Sequence, residues 1–327
     1  MIKYFLAFCC FLFSFQIFCQ QTDVVDFLKI EASIDPDTSE KKIAGRFMAT
    51  FKVLQETDSI FMNAVNIHIA EIHSKDFKIT ADEKKVWFLG SFEKGRTYVA
   101  DFYYEMFPKQ TLYFFEDQIW TQGQGKYTSH WLPSIDDVND KIEFDLLLFA
   151  SIDKAVIANG KLIDLGSFHE AWHFDMENPM SSYLVAFAIG DFSKKELTSN
   201  SGIPIELYYK PSDSLKVEPT YRYSKQIFDF LETEIGVPYP WQNYKQVPVR
   251  DFLYAGMENT TATFFSEAFV VDSIGFNDRN YINVNAHELA HQWFGNLVTE
   301  TAGEDHWLQE GFATYYALLA ERNIFGD

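Results

Sequence analysis

The chain has 327 residues, 47% of them hydrophobic and 17% aromatic, and carries a net charge of −20 at neutral pH. That length supports two domains with full cores, and the composition excludes a disordered or fibrous protein. So acidic a balance disfavours nucleic acid and anionic membranes as partners.

The N-terminus has one lysine, Lys3, followed by an apolar run to Cys19, and no acidic residue appears before Asp23. That is the pattern of an export signal over residues 1–19, cleaved after Cys19 or Gln20. At about sixteen residues the run is short for a membrane-spanning helix. The mature protein is therefore expected in the periplasm or outside the cell, without stable membrane insertion. Cys9, Cys10 and Cys19 all lie in this segment, so the mature chain has no internal disulfide.

From residue 24 to about 192 the chain reads as strand after strand. Alternating runs at 24–34 and 43–53 flank a turn at Asp35-Pro36-Asp37-Thr38. Further strands are expected at 142–152 and 155–163, the latter turning as a hairpin at Asn159-Gly160. Residues 183–192 read as one continuous apolar strand. The spacing predicts an antiparallel β-sandwich or saddle over residues 20–201. After the polar run 198–202 the character changes, which puts a second, α+β domain at 202–327. It is expected to hold a strand at 203–209, an amphipathic helix at 219–235 and an edge strand at 247–259.

A helix is expected over 282–296, and it carries His287-Glu288-Leu289-Ala290-His291. Residues four apart on a helix project from one face, about 6 Å apart along the axis. His287 and His291 can thus each offer a nitrogen to one zinc ion. Glu288 lies beside them, placed to act on a water at the metal rather than on the metal itself. Catalytic zinc usually takes three protein ligands. Glu310 fits the third place if a second helix, expected at 306–323, returns it to the site. Leu308, Phe312, Tyr315, Leu318 and Leu319 recur at helical spacing along that helix. The same H-E-x-x-H pattern occurs at His169–His173, but there aromatic and β-branched runs argue a strand. Residues four apart on a strand lie roughly 13 Å apart, too far to share one zinc.

Ala255-Gly256-Met257-Glu258-Asn259, HELAHQWFGN and WLQEGFA resemble motifs of the zinc aminopeptidases of the aminopeptidase N type, within the gluzincins. Thr121-Gln122-Gly123-Gln124 and Pro179–Leu184 add weaker matches. The resemblance spans essentially the whole mature chain. It implies an N-terminal β-saddle domain followed by a thermolysin-like catalytic domain. One zinc per chain would be held by His287, His291 and Glu310, with Glu288 as general base. The resemblance further implies that Glu258, aided by Gln124, anchors the free α-ammonium of a peptide substrate. Backbone groups at Ala255, Gly256, Met257 and Asn259 would align that peptide. Two departures stand out: alanine opens the first box, and Gln309 replaces the usual asparagine. The family's transition-state tyrosine lies well downstream of its third ligand. This sequence stops at Asp327, and nothing in it is assigned to that tyrosine. The catalytic domain is accordingly expected to be truncated, and these residues alone to be inactive.

The leading expectation is thus an exported zinc aminopeptidase. A thermolysin-type zinc endopeptidase is the alternative within the enzyme class, and Glu258 discriminates because an endopeptidase has no ammonium to bind. A non-enzymatic peptide-binding module is the third reading, and Glu288 argues against it. An epoxide hydrolase branch shares the motifs.

Overall fold

Alternation decides the first half of the chain. The strand Thr97–Met106 buries Tyr98, Ala100, Phe102, Tyr104 and Met106 and leaves Val99 and Tyr103 exposed. Phe47, Ala49 and Phe51 of Lys42–Val53 face the same interior. Phe51 is the hub of that core, with its ring 5.6–6.0 Å from those of Phe27, Phe77, Phe88, Phe92 and Tyr98. Each such ring contributes about 1.5–3 kcal/mol by leaving water.

The computed structural model describes residues 21–165 and 170–327, so the signal segment 1–19 and His169 lie outside the described residues. The chain is α+β. Its largest sheet has seven strands in the order Lys161–Leu165, Ala171–Ser181, Lys141–Phe149, Val25–Asp37, Lys42–Val53, Thr97–Met106 and His68–Ile72. A three-stranded sheet (57–63, 85–92, 78–81) packs on it, and a four-stranded one orders 155–158, 187–190, 118–121 and 112–114. The expected antiparallel pairing has one exception, at the centre of the largest sheet. Val25–Asp37 and Lys141–Phe149 run parallel, because more than 100 residues of intervening chain return the second strand from the far side.

Three local expectations also change. The first turn falls at 38–41 rather than 35–38, since Asp37 Oδ1 accepts the amides of Ser39 at 2.8 Å and Glu40 at 3.0 Å. Residues 183–192 are not one strand: a 3₁₀ turn at Ser182–Leu184 precedes the short strand Phe187–Gly190. Asn159-Gly160 is not a hairpin turn. The strands on either side of it belong to different sheets, so the dipeptide is a corner between them. Gly160 has φ +73°, and a Cβ there would lie 2.1 Å from the Asp175 carbonyl oxygen. Only glycine fits.

The second half is built on a five-stranded sheet, in the order Ser193–Thr198, Pro204–Tyr209, Tyr244–Val249, Ala262–Ser266 and Gly256–Met257. It begins at Ser193, ahead of the expected boundary at 201, because the polar run 199–202 is the turn of a hairpin inside it. The expected edge strand at 247–259 divides in two. Tyr244–Val249 is an inner strand, parallel to both neighbours and fully buried, and only Gly256–Met257 forms the edge. The helix expected at 219–235 is also two, α1 (Val217–Tyr221) and α2 (Ser224–Ile235), broken where Tyr223 leaves helical angles. Gly236, with φ +72°, ends α2. Two further helices, α3 (Ile282–Ala290) and α4 (Trp307–Phe325), pack against each other.

Candidate metal centre

The helix α3 is anchored from below by a polar chain and by its apolar face. Gln246 Nε2 donates to Asn285 Oδ1 at 3.1 Å, and Asn285 Nδ2 donates to Ser224 Oγ at 2.8 Å. Ile282, Ala286, Leu289 and Ala290 are buried against the sheet. These contacts fix the rotation of the helix, so the opposite face turns both imidazoles into a cleft. The helix is shorter than the expected 282–296 and stops at Ala290. His291 is its C-cap residue and keeps right-handed helical angles, φ −58° and ψ −24°, so the four-residue spacing survives.

Three side chains meet in the cleft. The Nε2 atoms of His287 and His291 stand 3.0 Å apart, and Glu310 Oε2 lies 3.2 Å from the first and 3.7 Å from the second. All three ligand atoms fall within 4.8 Å of one another. His291 Nδ1 donates to the Phe294 carbonyl at 2.9 Å, a bond that sets the tautomer and leaves Nε2 as the ligand atom. Two imidazoles and one carboxylate are the donor set of a catalytic zinc site, with one place left open. The residues fit the ion.

Glu310 comes from the first turn of α4. That helix begins at Trp307 and buries a stripe of small residues, Ala313, Ala317 and Ala320, against its neighbours. The larger residues read from the sequence as its apolar stripe face outward: Leu308, Phe312, Tyr315 and Leu318 are all exposed. Small residues let α4 approach α3 closely, and that approach delivers Glu310 to the histidines.

The electrostatics of the cleft follow from three converging carboxylates, Glu258, Glu288 and Glu310. Burial pushes the Glu288 carboxyl well above its usual range, Glu258 and Glu310 push the same way, and His291 opposes them. Burial lowers His291, yet Glu258, Glu310 and Glu288 outweigh it and carry that imidazole up to about 9. Hydrogen bonds from His287, His291 and His306 hold Glu310 well below the ordinary carboxylate range. A cleft so polarised attracts cations.

Glu258 lies in the same cavity, of about 380 Å³, as Gln124, His287, Glu288 and Glu310. It is 2% exposed, and its Oε1 has no hydrogen-bond partner among the described residues. Its position is set by the metal-helix motif itself. Gln292 Nε2 and Asn296 Nδ2 donate to the Glu258 carbonyl at 3.1 and 2.7 Å, and Thr261 N donates to Gln292 Oε1 at 3.0 Å. The N-terminal half braces the same turn: Asn159 Nδ2 donates to the Thr260 carbonyl at 2.6 Å and Gly160 N to Thr261 Oγ1 at 2.7 Å. Ala255 and Gly256 line the cavity at the free edge of the sheet. Met257 and Asn259 are buried and are not among the residues that line this cavity.

The second H-E-x-x-H match builds no such cluster among the described residues. His173 lies on the strand Ala171–Ser181 and pairs through its Nε2 with Asp145, while His169 lies outside the described residues. Sequence reasoning missed two groups beside the metal ligands. His306 stands 3.2 Å from Glu310 Oε1, and Glu300 stands behind His306. The signal was available for the first, since His306 precedes Glu310 by four positions on a helix.

Two family models match the chain. The Peptidase M1 N-terminal domain matches residues 28–184, and the Peptidase family M1 domain matches residues 220–327. Glutamyl aminopeptidase from Bos taurus is 31% identical over 194 residues, which is 57% of this chain and 20% of that protein. The Homo sapiens protein of the same name is 31% identical over 202 residues, 60% of this chain and 21% of the relative. Aminopeptidase 2 from Candida albicans is 26% identical over 325 residues, covering 92% of this chain and 35% of that protein. The chain thus spans between a fifth and about a third of the length of these curated relatives.

Proposed function

The chain belongs to the M1 peptidase family, and from that premise we propose that it is the part of a zinc aminopeptidase that holds the metal, the base and the ammonium anchor. One observation carries the reading: a buried carboxylate oxygen of Glu258, without a partner among the described residues, shares a cavity with His287, His291 and Glu310. An unpaired buried carboxylate is costly, and a substrate ammonium satisfies it. The matched relatives named above are aminopeptidases, which supports this reading over an endopeptidase.

In the proposed mechanism His287, His291 and Glu310 would hold a zinc ion, which when bound would supply Lewis-acid chemistry for the scissile carbonyl and for water. Glu258, with Gln124, holds the α-ammonium of the first residue, so only the first peptide bond reaches the metal ligands. The free edge at Ala255-Gly256 aligns the peptide as an added strand. Glu288 takes the proton of the attacking water and passes it to the leaving amine.

Metal analysis of the full-length protein tests the ligand set. One zinc per chain is expected, lost in His287→Ala and kept in His173→Ala. Zinc lost from the second variant and retained by the first would overturn the assignment.

We extend the reading to residues 20–327 alone, taken as a β-saddle followed by a thermolysin-like domain whose sheet begins at Ser193. This stretch by itself is expected to hydrolyse aminoacyl substrates negligibly. Trp307 and Leu318 stand 67% and 57% exposed on the helix that carries Glu310, so the third ligand rests on a helix whose large residues face water. Turnover within tenfold of the full-length protein would overturn that. Export follows from residues 1–19 and is tested by the N-terminal mass of the mature protein. No described helix is long and apolar enough to cross a membrane.

A further inference from the structure

Glu310 is the most exposed of the three metal ligands, with 38% of its side chain in contact with solvent against 22% for His287 and 1% for His291. A carboxylate on an open helix face has free rotation at its last torsion, and it can ligate through one oxygen or two. Something must hold it. His306, one helical turn earlier, places Nε2 3.2 Å from Glu310 Oε1. That contact takes the oxygen facing away from the histidine pair and leaves Oε2, at 3.2 Å from His287 Nε2, toward the metal position.

His306 is itself held from behind. Its Nδ1 lies 3.1 Å from Glu300 Oε1, and the Glu300 side chain is only 2% exposed. The Gln309 amide closes the same side, 3.0 Å from His306 Nδ1 and 3.3 Å from the Tyr183 hydroxyl. The loop bearing Glu300 is pinned to the N-terminal half, because Lys141 Nζ donates to the Asn296 carbonyl at 2.7 Å and to Thr299 Oγ1. The imidazole therefore stands between two carboxylates, with Nε2 toward Glu310 and Nδ1 toward Glu300.

We propose that His306 is a positioning residue, which with Glu300 behind it locks Glu310 as a one-oxygen ligand and tightens the hold on the metal. This rests on the reading of His287, His291 and Glu310 as the zinc ligands. The physical basis is that partners of a ligating side chain orient it before the metal arrives, and losing one typically costs about 10–100-fold in metal affinity. Leucine at 306 removes both ring nitrogens, whereas glutamine keeps an N–H group that can reach Glu310. Glutamine at 300 keeps the shape of the buried support but removes the charge that aligns the imidazole.

The test uses the full-length protein and two readouts, zinc affinity by competition with a chelator and the visible spectrum of the cobalt(II)-substituted protein. His306→Leu is expected to bind zinc about 10–100-fold more weakly, and its cobalt bands to lose intensity as the second carboxylate oxygen enters the coordination sphere. His306→Gln should recover most of the affinity, and Glu300→Gln should fall between the two. If His306→Leu fails to fold, Glu300→Gln and His306→Gln carry the comparison. Zinc affinity within threefold of the parent in His306→Leu and Glu300→Gln, with unchanged cobalt spectra, would overturn the proposal. A parent protein that binds no zinc, or binds it equally well as His287→Ala, would instead sink the metal reading beneath it.

Discussion

Glu288→Gln in the full-length protein is expected to retain zinc and to lose peptide hydrolysis by about 10²–10⁴-fold, the usual contribution of a placed acid–base group. Glu288 is 5% exposed and sits between the two histidines in sequence without sharing their cluster. The edge strand Gly256–Met257 approaches it closely, since a Cβ on Gly256 would lie 2.3 Å from Glu288 Oε1. Glutamine keeps that shape and removes only the ability to accept a proton. Folding does not confound the result. Burial raises the carboxyl of Glu288, with Glu258 and Glu310 adding to it. A carboxylate with a raised folded pKa costs stability as pH rises through that value, so the neutral amide leaves the metal-free variant at least as stable at pH 7. The measurement pairs turnover of an aminoacyl-coumarin substrate with zinc content and melting temperature. Near-normal turnover with zinc retained removes Glu288 from the base role.

The site was legible wherever its chemistry depends on short spacing. Four residues on a helix bring His287 and His291 together whatever the surrounding fold, while His173 lies on a strand and joins no such cluster among the described residues. Glu310 was legible because only a returning helix offers a third carboxylate at that distance. What stayed hidden is set by long-range packing. The parallel pairing of Val25–Asp37 with Lys141–Phe149 depends on chain return, which alternation along either strand does not encode. Asn159-Gly160 has the composition of a hairpin turn, yet Thr260 and Thr261, about a hundred positions away, take its hydrogen bonds and make it a corner. On α4 the apolar stripe was visible but its orientation was not. The close approach to α3 selects Ala313 and Ala317 for burial and turns Phe312 and Leu318 outward. Glu300 lies between the two motifs and in neither, and only the fold shows that it backs His306.

The second large effect expected is at the substrate terminus, where Glu258 separates an exopeptidase from an endopeptidase. In the full-length protein an N-terminally acetylated peptide is expected to be cut at least about 10²-fold more slowly than the same peptide with a free amine. The argument is one of burial and charge. Glu258 Oε1 is buried and unpartnered among the described residues, in the cavity that His287, His291 and Glu310 line. A free α-ammonium gives that oxygen a charge-assisted hydrogen bond, worth about 1.5–3 kcal/mol. An acetyl cap removes the cation and leaves the carboxylate desolvated without a partner, which adds a further penalty to the blocked peptide. Glu258→Gln keeps the side-chain shape and its carbonyl contacts to Gln292 and Asn296, because those run through the backbone. The variant should therefore fold and bind zinc as before, lose most of its rate on the free-amine peptide, and change little on the acetylated one. The ratio of kcat/KM between the two peptides collapses toward one. If the parent protein already cuts both peptides equally well, no ammonium is being read at Glu258, and the cleft belongs to an endopeptidase.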